Sequence, residues 1–135
     1  GKLYFFQSLG LKGEIVKVVK FSQIAPNRYN LGLADFEKGK LQDEVVSNNF
    51  DVLKVLSTVA EIIKHFTLEN PQRTVVILTT ESRRAKIYNA IFKRRAAEIN
   101  QDFLIFGINE DDSEEPYNSQ KNYKGFIVKR INLEL

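Results

Sequence analysis

The stretch from residue 51 to residue 79, DVLKVLSTVAEIIKHFTLENPQRTVVILT, holds two different periodicities back to back. Val52, Val55, Leu56, Val59, Ile62, Ile63 and Phe66 recur at helical spacing and give one apolar stripe from about residue 51 to residue 67. Asn48, Asn49 and Asp51 offer N-cap oxygens, and Pro71 lies beyond the far end. Residues 74–79, Thr-Val-Val-Ile-Leu-Thr, then form a compact β-branched run of the kind that fills a buried strand.

On the C-terminal side, Ser82 can cap a second helix reaching about residue 99, with Ile87, Tyr88, Ile91, Phe92 and Ile99 on its buried side. Residues 103–108 and 124–132 read as the last strands, separated by a polar loop. The unit spanning 74–108 predicts a right-handed crossover between parallel strands. On the N-terminal side, residues 3–8 are an aromatic-rich strand, and Gly10 and Gly13 flank a turn before a strand over 14–21. There Ile15, Val19 and Phe21 share a face with Lys17, while Val16 and Val18 occupy the other, which predicts a strand covered on both sides. Pro26-Asn27 marks a turn, and Tyr29, Leu31 and Leu33 alternate with Asn30, Gly32 and Ala34 in a third strand. Residues 37–40 form another turn, and 41–46 fit either a short strand or an ordered loop. The expectation is one α+β domain over residues 1–135, with a single mixed sheet. It has an N-terminal antiparallel meander, one β-α-β crossover, and two helices packed on one face.

Composition narrows the chemistry. A chain of 135 residues buries enough surface to fold without a metal or a disulfide. With no cysteine and one histidine, His65, thiolate zinc sites, iron–sulfur clusters and cysteine nucleophiles are excluded, as is a multi-histidine site within one chain. Any metal would be a hard ion held by Asp and Glu oxygens. No apolar run reaches the length of a membrane span and the first residues lack the pattern of a signal peptide, so no membrane partner and a cytoplasmic setting are expected. The net charge of +3 is too small by itself to indicate a nucleic-acid partner.

The distribution of that charge is more telling. The second helix carries Arg83, Arg84, Lys86, Lys93, Arg94 and Arg95 against one acid, Glu98. Its start combines unpaired backbone N–H groups, a positive dipole end, the Ser82 hydroxyl and two guanidinium groups, all suited to an anion. Ordinary capping of a solvated helix explains the same residues. Glu81 would repel an anion, and no Walker loop or dinucleotide fingerprint is present, so no cofactor is expected. Lys93-Arg94-Arg95 either extends a phosphate-tracking surface or serves the helix dipole. The loop 109–115 holds five carboxylates and reads as a solvated loop, although folding toward the basic helix would screen it. Asp35, Asp43 and Asp51, near Asn30, Asn48 and Asn49, fit turn and cap roles; a metal-assisted phosphoester site is the alternative. His65 near the first helix's end suits a capping role, and Tyr4, Phe5, Phe6, Phe21 and Tyr29 suit the core better than base stacking.

Residues 10–17, 29–32, 49–60 and 84–88 occur in an order that resembles a family of short, uncharacterised bacterial proteins, carried as hypothetical, over nearly the whole chain. In such relatives the junction before the second helix reads like Gly-Ser-Thr, followed by an Arg and a Tyr. Arg84 and Tyr88 fit that pattern; Thr79-Thr80-Glu81 departs from it and suits an anion less well. The resemblance implies no activity and transfers no catalytic residue. Three functions therefore stand as expectations. The first is a non-enzymatic binding module for nucleic acid or another phosphate-bearing ligand, acting through Ser82, Arg83, Arg84, Lys86 and Tyr88. The second is a protein-interaction module of a two-gene regulatory or toxin–antitoxin pair. The third is a metal-dependent phosphoesterase or nuclease using Asp35 and Asp51.

Overall fold

The computed structural model describes residues 2–10, 13–37, 40–42, 52–78 and 82–131. Strands β1 (Lys2–Gly10), β2 (Gly13–Ala25) and β3 (Arg28–Glu37) form the expected antiparallel meander, closed at one hairpin by Asn27 with φ 59°. Asparagine tolerates that left-handed conformation better than most residues, which suits it to the turn after Pro26. The undecided segment starts as a short strand, β4 (Lys40–Gln42), folded back on the end of β3; residues 43–51 lie outside the described residues. Helix α1 (Val52–Glu69) leads into β5 (Thr74–Leu78), and α2 (Ser82–Ile99) leads into β6 (Phe103–Ile108). A short β7 (Glu114–Pro116) sits inside the polar loop, and β8 (Gly125–Arg130) ends the sheet.

The strands form one sheet in the order β1-β2-β3-β5-β8-β6-β7, with β4 on β3. Its parallel pair is β3–β5, the two strands joined across α1. The crossover expected over 74–108 is present in split form: β5 and β6 run in the same direction, with β8 between them, antiparallel to both. The physical reason is burial. In β8 the residues Phe126, Ile127 and Val128 are buried on both faces, whereas Leu104 in β6 is exposed, so the last strand takes a central place.

Alternation sends Val19, Phe21, Leu31, Leu33, Val75, Ile77, Phe103, Ile105, Phe126 and Val128 to one face, where they join Val55, Val59, Ile63 and Phe66 of α1 and Phe92 of α2 in one core. Phe66 stacks on Phe21 with centroids 3.8 Å apart, and Phe92 stacks on Phe126 at 4.1 Å. Both helices thus cover one face, α1 over β2 and β3 and α2 over β8. Each descends opposite to β5, so the two helices run parallel to one another.

The other face carries Val76, Ile108 and Ile127, buried with Phe106 against them, and Val18 and Ala34, also buried. No described helix covers it, so the two-sided burial expected for β2 has another origin. The sheet coils. Arg28 in β3 and Glu114 in β7 are four places apart in strand order, about 19 Å at the usual strand spacing, yet their side chains meet at 2.8 Å. Leu3, Phe5, Leu78 and Leu104 remain exposed on that face.

Candidate functional site

Helix α2 begins at Ser82 as the capping pattern predicts, so Ser82, Arg83 and Arg84 form its first turn. Thr79, Thr80 and Glu81 lie outside the described residues. Lys86 is exposed one turn on, and Tyr88 is half-buried, facing α1. Lys86 and Tyr88 are therefore not on one surface; the side chains of Ser82, Arg83 and Arg84 lie outside the described ones. Lys86 points to solvent with Ala90, Lys93, Arg94 and Ala97, all exposed and all at helical spacing. Tyr88 belongs to a second stripe with Ile91 and Arg95, three and seven residues further on, which lines a crevice.

The outer stripe is basic along its length. Lys93 Nζ donates to Asn122 Oδ1 at 2.7 Å, and Arg94 has no ion pair among the described residues. The closing turn of α2 contains no base, so Lys93 and Arg94 sit too early for the dipole to account fully for them. The acidic loop turns elsewhere. Glu114 pairs with Arg28, Glu115 with Lys121 at 2.7 Å, and Asp112 with Lys124, while Asp111 accepts the Ser113 amide at 3.0 Å. The segment expected to be a plain solvated loop is instead tied down at each of these acids, and none of these pairs screens α2. Glu115 is the most strongly perturbed of them. Hydrogen bonds from Lys121, Asn109 and Tyr123 hold its carboxyl down at about 2.

Between α1 and α2 the helix layer opens into a crevice of about 370 Å³. Its floor is the sheet, through Leu31, Leu33, Ile77, Phe103 and Val128, and its walls include Val59 and Ile63 of α1 and Ile91 and Phe92 of α2. The lining also includes Ser57, Tyr88, Gln101 and Asp102, and two ion pairs stand at the mouth. There Glu61 and Lys64 of α1 lie within 3.5 Å of each other, and Arg95 and Glu98 of α2 within 3.3 Å. No sequence motif announces this crevice; its only trace is that the apolar stripe of α2 contains Tyr88 and Arg95.

The carboxylates assigned to turns and caps behave unequally. Asp35 is buried, and its Oδ1 accepts from Lys17 Nζ at 2.6 Å on the helix-covered face. Its ion pair with Lys17 sets it apart from the carboxylates that could face a hydrated metal, and Asp43 and Asp51 lie outside the described residues. Among the described residues no cluster of three or more His, Asp or Glu could hold a metal ion. Lys17 is the functional-looking residue that sequence reasoning passed over, although it stood on the apolar face of its strand. His65 pairs with Glu69 at 3.2 Å near the end of α1 and packs edge-on to Tyr4. Of the aromatics, Phe21 is buried and Tyr4, Phe6 and Tyr29 pack on the core, whereas Phe5 is exposed on the other face.

Among the described residues no helix is long and apolar enough to cross a membrane. No curated protein and no solved structure matches the chain significantly. A family model does match, over residues 1–131, and the chain belongs to that family, a family of unknown function (DUF6934).

Proposed function

We propose that the protein is a small non-enzymatic binding module that engages nucleic acid, or another phosphate-bearing ligand, along the outer face of α2. The observation that carries this reading is the exposed stripe of Lys86, Lys93 and Arg94, interleaved with Ala90 and Ala97. Lys86 and Lys93 are two turns apart, about 10 Å along the axis, and the two alanines let a backbone approach closely. The acids of loop 109–115 support the reading by pairing with Arg28, Lys121 and Lys124 rather than with α2. Ser82, Arg83 and Arg84 extend the same helix toward its N-terminus, where amide donors favour phosphate.

The test is fluorescence anisotropy with labelled single- and double-stranded DNA and RNA at low and moderate salt. Saturable binding should weaken as salt rises, and a Lys86→Ala/Lys93→Ala/Arg94→Ala variant should weaken it further with a shallower salt slope. An absence of binding at low salt, or indifference to that variant and to Arg83→Ala/Arg84→Ala, would remove the reading. The exposed Leu3, Phe5, Leu78 and Leu104 favour a second reading, a protein-interaction module, which co-purification with a neighbouring gene product would test.

A further inference from the structure

The outer face of α2 leaves the crevice on its inner side unaccounted for. The crevice is open at its mouth and has room for about a dozen waters at ~30 Å³ each. Water there would meet an apolar floor. The volume lies at the low end of the roughly 300–1,000 Å³ typical of small-molecule sites. That is well matched to a compact ligand and short for a docked helix.

The charges at the mouth decide what such a ligand can be. Each helix neutralises its own cation, Glu61 with Lys64 and Arg95 with Glu98, and the remaining charged residue of the lining, Asp102, is an acid, so no cation is left over to hold an anionic ligand. The helices run parallel, and each pair is spaced i, i+3 with the order of charges reversed, so pairs brought level across the gap would set Glu61 beside Arg95 and Lys64 beside Glu98. Narrowing the crevice would exchange two pairs within helices for two pairs between them, at little electrostatic cost. We infer that the crevice is a binding site for a small, largely apolar molecule without an acidic group, over which α1 and α2 close through the pairs Glu61–Arg95 and Lys64–Glu98.

The probe is N-phenyl-1-naphthylamine, which is neutral and fluoresces in apolar surroundings. Titration into the full chain should give a saturable rise with one molecule per chain. Ala60 is exposed on the crevice wall, so Ala60→Trp fills the space without removing a core contact, and Ser57→Trp does the same from one turn earlier. Either variant, folded by circular dichroism, should abolish the rise. Closure has its own readout. Glu61→Lys/Lys64→Glu keeps the pair within α1 but sets like charges across the mouth, and should weaken the probe a few-fold. Adding Arg95→Glu/Glu98→Arg should restore it. Emission that fails to saturate, or that survives both tryptophan variants, overturns the site. So does a dimer by sedimentation that Ala60→Trp dissolves while the probe never binds, since the occupant would then be a second copy. Binding that is indifferent to the α1 reversal overturns the closure. Phosphate binding along the outer face involves none of these residues, so the two readings fail independently.

Discussion

Nζ of Lys17 lies 2.6 Å from Oδ1 of Asp35, at directly paired positions of β2 and β3, and both side chains are sealed from solvent. Two opposite charges withdrawn from water need each other, because the attraction offsets desolvation only while both are present. Lys17→Met alone should therefore lower stability by about 3–5 kcal/mol, and Asp35→Leu by a similar amount. The double variant should recover most of the loss. Urea unfolding of all four proteins measures the coupling, and strictly additive losses would contradict it.

Gly107 is spaced for an aromatic ring. A Cβ built there would lie 2.5 Å from Cγ of Tyr123, close to the root of a side chain that cannot swing away. The Tyr123 hydroxyl is engaged as well, donating to Glu115 Oε2 at 2.9 Å and accepting the Asn118 amide at 3.0 Å. Gly107→Ala should cost about 1–3 kcal/mol in the wild type and far less in a Tyr123→Ala background. Thermal melts of the two pairs decide it.

Glu115 sets an acid limit on the loop. Its folded value of about 2 lies below the ordinary 4.5. A depressed carboxylate stabilises the folded state fully above its unfolded value and loses that contribution as pH falls through the folded one. The unfolding midpoint of the wild type should exceed that of Glu115→Gln at pH 7, with the gap closing between about pH 5 and 2. A gap that stays constant over that window would show that ionisation of Glu115 does not matter.

Asn89 fastens α2 to the segment before β8. Its Nδ2 donates to the Tyr123 carbonyl at 2.8 Å, and its Oδ1 accepts the Tyr123 amide at 2.9 Å, inside the protein. Asn89→Leu keeps the bulk and strands both backbone groups, at about 1–3 kcal/mol for each. Hydrogen exchange should show the Tyr123 amide losing protection first, and unchanged protection would show that the Asn89 bond does not hold it.

Much of this protein was legible before folding was considered. The stripe from Val52 to Phe66, the run from Thr74 to Leu78 and the cap at Ser82 locate two helices and a buried strand within a few residues of their observed ends. Those signals are local: a period of 3.6 or 2 and a capping oxygen act over a few residues of chain. The outer basic stripe of α2 was legible for the same reason, since helical spacing alone aligns Lys86, Lys93 and Arg94. That Tyr88 turns away from them was legible too, since the same spacing sets it with Ile91 and Phe92; what it meets there was not, because that depends on where α1 lies.

Everything that joins distant residues waited for the tertiary structure. The place of β8 between β5 and β6 depends on which strand can be buried on both faces, a comparison among strands rather than a property of one. Lys17 and Asp35 are eighteen positions apart and meet only because β2 and β3 pair in one register. The crevice exists because two helices share one face without closing on each other. Amino-acid sequence determined which segments are helix and strand and which of their faces are apolar or basic. Tertiary structure decided which faces meet, because contact energy belongs to pairs of residues that the chain itself does not hold together.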